Sequence, residues 1–365
     1  MNKISSSGGE RSNRHKIVVA GIGAGGLNAV DRLSENKIAG VDLIAVDTDL
    51  QALDECKADK SIPIGGDLTG GDGTGGEVTL GIKAARGKRK SIERSMDNAE
   101  LIFLTSGFGG GTGTGATPEI ASWISGGEAL TVGVVTTPFP FEGAERTKKA
   151  KQGIARLREE VDAFIVASNE RLKSNLPEDI SLLKAFQISD GILSQGVRAI
   201  SDLITAPGLI NLDLADVRSI LSGAGQSLIG IGRARGEGRA RRAARLASNN
   251  PLLEKTSVEG ARRVILNITG GEGLTLEEAK KAAEVIKEVA GTDLQLIFGA
   301  IIKEDSEKEV TVTVIASNFS RIEEEDLSHS TQEMGEELLW QPKLDYSDYD
   351  IPAFIRRSRR EEEND

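Results

Sequence analysis

Five short and almost wholly apolar segments recur through the first half of the chain, each separated from the next by a segment with helical periodicity. They lie at 16–20, 41–46, 101–106, 130–136 and 162–168. Strands that are apolar on both faces, with helices between them, are typical of a parallel sheet covered on both sides. We therefore predict a Rossmann-like α/β domain whose ligands bind at the carboxyl ends of the strands.

The second half predicts one long helix followed by a smaller α/β domain. Residues 181–205 have apolar side chains at helical spacing, and they end at Pro207. Further strands are predicted at 227–232, 263–269, 295–302 and 309–316. A capping box of Thr275 and Glu278 predicts the start of a helix that ends at Gly291.

Composition excludes several function classes. A net charge of -11 argues against nucleic-acid binding. With one cysteine and two histidines, the chain offers neither an internal disulfide nor a structural zinc site. No run of about 18 apolar residues occurs, so we expect no membrane span. The polar N-terminus does not resemble a signal peptide, and we expect a cytoplasmic protein.

The 43 glycines are clustered rather than spread, at 21–26, 65–76 and 107–115. The first cluster satisfies G-x-G-x-x-G, and Asp47 follows it by about 20 residues, as in NAD-binding Rossmann units. Taken alone, this cluster predicts an NAD(P)-dependent oxidoreductase. No G-x-x-x-x-G-K-[ST] sequence is present, which excludes a P-loop nucleotidase.

The third cluster, GFGGGTGTGATPE at 107–119, favours a longer phosphate chain. Successive backbone N–H groups of such a loop converge on phosphate oxygens, and the helix that follows adds its positive dipole end. We expect Thr112 and Thr114 to supply hydroxyl donors. Two phosphate-binding loops in one sheet exceed what a dinucleotide enzyme needs.

The segment GGGTGTG at 109–115 resembles the signature of the tubulin/FtsZ superfamily. The resemblance extends over about 15–318 and includes the segments at 65–76, 136–146, 168–172 and 185–192. It implies the tubulin/FtsZ fold, a GTP/GDP site with Mg²⁺, and GTP hydrolysis. It also implies a head-to-tail homopolymer that forms a division ring.

Site residues follow from the resemblance by position. The implied nucleotide contacts are Gly23, Ala24, Gly25, Asn28, Asp47, Gly73, Thr74, Gly75, Gly109, Gly110, Gly111, Thr112, Gly113, Thr114, Gly115, Pro138, Glu142, Arg146, Asn169, Phe186 and Asp190. Glu142 is implied to contact the ribose and Arg146 the phosphate side. Phe186 would lie against guanine, and Asp190 would accept hydrogen bonds from guanine N1–H and the exocyclic amine. No side chain is assigned as a metal ligand.

The loop NLDLADVR at 211–218 is implied to carry Asn211, Asp213 and Asp216 into the nucleotide pocket of the next subunit. There the two carboxylates would orient the attacking water. The alternative is that both acids cap a helix. A GTP-binding scaffold that polymerises with little hydrolysis is a further alternative.

Three departures from the family pattern leave a division-protein paralogue open. They are Asp47, where the family usually has Asn, Asp72 in the loop at 65–76, and the basic segment 232–246, which is either a solvated helix face or a lateral contact.

The predicted organisation divides the chain into six parts. They are a disordered arm (1–14), a GTP-binding domain (15–180), a central helix (181–206), a C-terminal activation domain (207–319), a flexible acidic linker (320–347) and a terminal peptide (348–365). The terminal peptide resembles the family's adaptor-binding segment, so residues 348–360 are expected to bind membrane-tethering division adaptors. It favours the bacterial-type division branch over the cell-shape and plasmid-segregating branches, with the protein at the division site.

Overall fold

The computed structural model describes residues 15–319, apart from 36, 37, 39, 175, 178, 207, 250–256, 304, 305 and 307. The predicted arm, linker and terminal peptide lie outside the described residues. Across the described part of the chain, no helix is both long and apolar enough to cross a bilayer.

The larger sheet is parallel, as the apolar segments predict, and has seven strands, two more than the five apolar segments. The strands are β1 (Ile17–Ile22), β2 (Val41–Asp47), β3 (Lys60–Pro63), β4 (Leu101–Gly107), β5 (Leu130–Thr137), β6 (Ala163–Ser168) and β7 (Gly225–Gln226). Their order across the sheet is β3-β2-β1-β4-β5-β6-β7. The chain therefore reverses direction across the sheet between β1 and β4, where such sheets bind ligands beyond their carboxyl ends.

Helices cover both faces of this sheet. They are α1 (Gly23–Glu35), α2 (Leu50–Glu55), α3 (Gly66–Thr69), α4 (Val78–Gly87), α5 (Arg89–Met96), α6 (Thr112–Ile124), α7 (Ala144–Arg158), α8 (Asn169–Ser174) and α9 (Leu182–Thr205), with a 3-10 turn at Pro140–Glu142. Helix α9 is the predicted central helix. It begins after Ser181, whose side chain accepts a hydrogen bond from the backbone N–H of Lys184.

The smaller sheet follows α9 in the chain. Its strands are β8 (Leu228–Arg235), β9 (Ala261–Gly270), β10 (Gln295–Ile302) and β11 (Glu309–Phe319), in the order β10-β9-β11-β8. The helices of this part are α10 (Leu214–Leu221), α11 (Arg239–Ser248) and α12 (Leu276–Ala290). The Thr275–Glu278 capping box and the end at Gly291 are both as the sequence predicts.

One cluster of buried apolar side chains joins the two sheets through the central helix. It includes Val134 on β5, Leu193 and Val197 on α9, and Leu266 on β9. Because α9 is buried from both sides along its C-terminal half, it fixes the position of the loop that follows it. That loop carries the three implied catalytic residues.

Candidate nucleotide-binding site

Two helix N-termini meet at the carboxyl edge of the larger sheet. Helix α1 begins at Gly23 directly after β1, and α6 begins at Thr112 after β4. A Cβ atom added to Gly23 would lie 2.9 Å from the backbone nitrogen of Gly113, so only glycine permits this contact. The first-turn N–H groups and the positive dipole ends of both helices therefore point at one place, which suits a phosphate chain.

The start of α6 is shaped for a backbone contact rather than a side-chain cap. Its N-cap residue, Gly111, makes no side-chain cap hydrogen bond. A Cβ atom at Gly111 would overlap the hydroxyl of Thr74, whereas one at Gly110 would meet nothing within 4 Å. The loop therefore faces open space at Gly110 and packs against Thr74 at Gly111.

Three threonine hydroxyls connect the loops around this point. Thr112 Oγ1 lies 2.7 Å from Thr48 Oγ1 and 3.5 Å from Thr74 Oγ1. All three residues are buried. The hydroxyl of Thr114 accepts a 2.8 Å hydrogen bond from the backbone N–H of Gly109, and its own hydrogen remains a possible donor, as expected from the sequence. Thr114 thus holds the shape of the loop.

The glycine loop at 65–76 has one tether that the sequence did not indicate. Lys149 on α7 donates a hydrogen bond of 3.1 Å from its amine to the backbone oxygen of Gly76. Gly73 and Gly75 have positive φ angles, and a Cβ atom at either would meet nothing within 4 Å. The loop is therefore open where it would cover phosphate and is anchored at its end.

Asp47 lies at the end of β2 and is 3% exposed. Its Oδ1 accepts hydrogen bonds from the backbone N–H groups of Thr48 (2.6 Å) and Asp49 (3.3 Å). Burial raises the pKa of this carboxyl above its usual range, against those two hydrogen bonds. These hydrogen bonds use Oδ1 alone and tie one carboxylate oxygen to the turn that follows β2. Asp72, by contrast, is exposed.

An aromatic cluster forms the other end of the site. Phe139 is buried and meets Phe186 edge-on, with 5.1 Å between ring centroids. Phe141 stacks on Phe139 at 5.2 Å and is 60% exposed. Asn169 is buried at the end of β6 and accepts a 2.7 Å hydrogen bond from Ser189 of α9. Phe186 is half-buried, so one part of its ring is available to a base.

Asp190 lies on α9, as Phe186 does, and faces α1. Its Oδ2 accepts a 2.9 Å hydrogen bond from the side-chain amide of Asn28. Burial raises the pKa of Asp190 to about 6, while the nearby Arg32 charge and the Asn28 hydrogen bond lower it. A carboxylate kept here beside an aromatic ring can accept two parallel donors from a base edge.

Glu142 and Arg146 are paired with each other. Arg146 Nη1 donates to Glu142 Oε2 at 2.8 Å, and the other carboxylate oxygen accepts from the backbone N–H of Phe139 at 2.9 Å. Pro138 lies against the phosphate loop, since a Cβ atom at Gly109 would be 2.5 Å from its Cγ. Arg146 also lies against Gly109, so the pair sits next to the loop at 109–115.

The loop at 211–218 lies elsewhere. Asp213 caps α10: its Oδ1 accepts from the backbone N–H of Asp216 at 2.9 Å, and Asp216 Oδ2 accepts from that of Asp213 at 3.0 Å. Arg218 on α10 donates to the backbone oxygens of Glu100 (3.2 Å) and Glu128 (2.9 Å). Those two residues precede β4 and β5, so α10 lies at the amino edge of the sheet. Asn211 is exposed, and its side-chain oxygen accepts from the N–H of Gly208.

The structure therefore divides the implied site residues into two sets. The implied nucleotide contacts lie at the carboxyl edge of the larger sheet or beside it, and Ala24, Asn28, Gly75 and Arg146 are exposed there. Asn211, Asp213 and Asp216 lie at the opposite edge. Thr48, Lys149 and Ser189 were missed, although Thr48 adjoins Asp47 and Ser189 adjoins Asp190.

Metal ligands are sparse in this region. The described residues contain no group of three or more His, Cys, Asp or Glu side chains placed to hold a metal ion. Three hydroxyl oxygens, those of Thr48, Thr74 and Thr112, lie together between the phosphate loops. Such a donor set fits Mg²⁺ bound mainly through substrate phosphates and water.

Comparisons with known proteins agree with this geometry. The model of the tubulin/FtsZ family GTPase domain matches residues 16–177, and that of the FtsZ family C-terminal domain matches residues 225–320. An FtsZ of M. jannaschii, solved as an empty dimer, is 38% identical with a TM-score of 0.78, and the match covers 84% of this chain and 89% of that chain.

Two more distant structures share the fold. CetZ2 from Haloferax volcanii, solved as a GTPγS-bound protofilament, is 20% identical with a TM-score of 0.72, over 84% of this chain and 94% of that chain. CetZ1 from the same organism, a GDP-bound monomer, is 20% identical with a TM-score of 0.73, over 84% of this chain and 96% of that chain.

Proposed function

The chain belongs to the tubulin/FtsZ family, and from this premise we propose that it is a GTPase that assembles head to tail into filaments. GTP binds at the carboxyl edge of the larger sheet of one subunit. Asn211, Asp213 and Asp216 of the next subunit complete the site, and GTP is hydrolysed to GDP at the junction. The oxidoreductase alternative has no support from the family comparisons.

The observation that carries this proposal is the separation of the two half-sites within one chain. Asp190 lies in the N-terminal half of α9, beside the proposed nucleotide site, while the acids follow the C-terminal end of that helix. From Asp190 to Thr205 the helix rises about 22 Å at 1.5 Å per residue. Arg218 holds α10 against the amino edge of the sheet. A chain cannot bring its own acids to its own nucleotide, but a second copy can.

Exposed apolar side chains support the same junction. Among the described residues, the large hydrophobic side chains that are exposed fall into two groups. At the nucleotide edge they are Leu50 (46%), Leu68 (49%), Phe141 (60%), Leu182 (60%) and Leu183 (55%). At the other end they are Leu209 (76%), Ile210 (47%) and Leu276 (88%). Two different patches on one molecule make a heterologous contact, and such a contact extends into a filament when it does not close.

The chemistry would be divided between the subunits in the same way. The backbone of the loops at 65–76 and 109–115 would hold the phosphates of GTP. The carboxylates of Asp213 and Asp216 would orient and polarise the attacking water. Mg²⁺, held beside Thr112 and the phosphates, would neutralise charge that develops during transfer. The caps use one oxygen of each carboxylate, so the other oxygen of each can face a water.

Two measurements test the function directly. Chromatography of nucleotide released from the purified, denatured protein should give GTP or GDP and no NAD(P). Sedimentation should recover filaments with GTP and far fewer with GDP, and phosphate release should accompany assembly. Recovery of NAD(P) would refute the proposal. Filaments without phosphate release would favour the non-hydrolysing scaffold.

We extend the proposal to cell division. Residues 348–360 would bind a membrane-tethering adaptor and place the filament at the division site. Deleting 348–365 should leave assembly and GTP turnover intact while abolishing adaptor recruitment. Loss of assembly in the shortened chain would show that these residues serve the core instead.

A further inference from the structure

A basic cavity lies on the side of the larger sheet, away from the phosphate loops. Its volume is about 710 Å³, and it is lined by Lys60, Arg86, Gly87, Lys88, Arg89, Lys90, Ser91 and Arg94. Lys60 belongs to the edge strand β3, and the other residues come from the end of α4 and from α5. Six cationic side chains thus converge, in a protein whose net charge is -11.

Two of these cations are held in place by acidic partners. Arg86 donates to both carboxylate oxygens of Glu119, at 2.8 and 3.1 Å. Arg89 donates to Glu93 at 2.9 Å and lies 5.3 Å from the ring centroid of Trp123. These contacts give the cavity a preorganised wall.

The other four cations, Lys60, Lys88, Lys90 and Arg94, have no carboxylate partner in the part of the chain that the structure describes. All four are exposed. Four positive charges crowded around one concavity repel each other unless an anion lies among them. The cavity therefore has positive charge available for a ligand.

The helix that forms its floor also lacks a negative charge where one is expected. Helix α5 begins at Arg89 after Lys88, which makes no side-chain cap hydrogen bond, and its first turn contains no acidic residue. A helix N-terminus favours anions and disfavours lysine and arginine. Within this turn the backbone N–H of Ser91 already donates to the backbone oxygen of Lys88 at 2.9 Å, so an anion in the cavity would act mainly by offsetting the lysine and arginine charges.

We propose that this cavity binds a small anion that carries several phosphate groups. Its volume is in the range of small-molecule sites, which is roughly 300–1,000 Å³. Several unpaired cations suit several phosphates, whereas one monovalent anion would leave most of them without a partner. Helix α4 separates this site from the nucleotide loops, since it begins beside the loop at 65–76 and ends at the cavity, about 15 Å away.

Isothermal titration calorimetry with inorganic tripolyphosphate tests the site. The full-length protein is first saturated with GDP, in buffer without divalent cations, and retained GDP is measured so that binding at the nucleotide site is excluded. We expect one equivalent of tripolyphosphate per chain. Binding should weaken steeply as salt rises, because the lining charges are exposed.

A matched pair of variants gives the control. Lys88→Gln with Lys90→Gln removes two charges from the cavity, and should weaken binding at least tenfold without lowering the thermal unfolding temperature. Arg241→Gln with Arg245→Gln removes two exposed charges from α11 and should change binding less than twofold. Equal weakening in both pairs would mean diffuse attraction and overturn the proposal. So would the absence of any binding to the GDP-saturated protein.

Discussion

At the scale of single residues, the proposed recognition of guanine rests on the carboxyl group of Asp190. It lies beside the half-buried ring of Phe186 and accepts a hydrogen bond from Asn28. An ionised carboxylate offers two acceptors side by side, which match guanine N1–H and its amine and repel the N1 acceptor of adenine. The protonation state of this group therefore bears on nucleotide affinity.

The raised pKa of Asp190 predicts a pH dependence of GDP binding. Below a pKa of about 6 the free carboxyl is protonated and becomes a donor, so affinity should be full above that pH and fall below it. The decline should approach about tenfold per pH unit, since one proton is exchanged. Titration of GDP from pH 5 to pH 8 measures it. Asp190→Asn is the control, because in this variant only the phosphates of GDP still titrate in this range. If the wild type and the variant show the same pH dependence of GDP affinity, Asp190 does not contact the base.

The same substitution predicts a change of base. The Asn oxygen can still accept from N1–H, but its NH₂ group opposes the guanine amine and can donate to the 2-oxygen of xanthine. Asp190→Asn should lose about 1–3 kcal/mol of GTP binding, the cost of one mismatched buried pair. It should bind xanthosine triphosphate more tightly than GTP. Competition between the two nucleotides for the variant measures this preference. If the variant binds GTP as tightly as the wild type does, the base does not contact residue 190.

At the scale of elements, the loop at 65–76 is held by few contacts. Lys149 anchors Gly76, and Thr74 packs against Gly111. A hydrogen bond from a charged donor is worth about 1.5–3 kcal/mol. Lys149→Met should therefore speed amide hydrogen exchange in 70–77 and reduce the preference for GTP over GDP by about tenfold. Lys151→Met, which changes an exposed residue of the same helix, should do neither. An unchanged preference in the Lys149 variant would mean that the loop needs no tether.

Long elements could be predicted from the sequence, and short ones could not. Strands β1, β2, β4, β5 and β6 were located because each is buried on both faces and therefore continuously apolar. Strand β3 was missed because it has one buried side chain, Ile62, and β7 because it has two residues. Lys149 could not have been found either. Its side chain contacts a residue far away in the chain, and the acceptor is a backbone oxygen, which every residue has.

The sequence leaves two interpretations of the basic segment 232–246, a solvated helix face or a lateral contact, and the structure shows that two of its arginines form ion pairs within the chain instead. Arg239 pairs with Glu278 at 2.7 Å with a side chain that is 12% exposed, and Arg235 pairs with Glu309 at 2.8 Å. Arg241 and Arg245 remain exposed on α11. The sequence shows where charges are, but ion pairing between distant elements depends on the fold.

At the scale of the whole molecule, a head-to-tail filament requires two different surfaces that fit each other. Leu209 is 76% exposed and lies in the group remote from the nucleotide. Leu209→Gln should weaken the junction and raise the protein concentration needed for sedimentable filaments several-fold, because apolar burial at the contact is lost. GTP affinity of the unassembled subunit should be unchanged. If this variant assembles normally, Leu209 does not lie in the interface between subunits.

The proposed division of the active site between two subunits could not be derived from the residues alone. The spacing of Asp213 and Asp216 predicts a capped helix equally well, and the structure contains that capping box. Only the family resemblance implied a role in a neighbouring subunit. The separation that makes this role necessary is set by the buried length of α9 and by the contacts of Arg218 at the amino edge of the sheet.

In the proposed filament the acids of one subunit act on the GTP of another, and substitutions that keep the helix caps can isolate this effect. Asn at 213 and 216 preserves a side-chain oxygen for both cap hydrogen bonds but removes both charges. The double variant Asp213→Asn, Asp216→Asn should fold, bind GTP and form long-lived filaments. It should hydrolyse GTP at least about 100-fold more slowly.

The most direct measurement mixes this double variant with Gly111→Ala, whose added Cβ would overlap the Thr74 hydroxyl and prevent nucleotide binding. Each partner alone should release almost no phosphate. In the mixture, subunits that hold GTP meet neighbours with intact acids, so phosphate release should reappear and should fall when the mixture is diluted below assembly. If the mixture stays as inactive as its parts although both copolymerise, or the Asn variant alone keeps wild-type turnover, the acids are helix caps and the shared site is wrong.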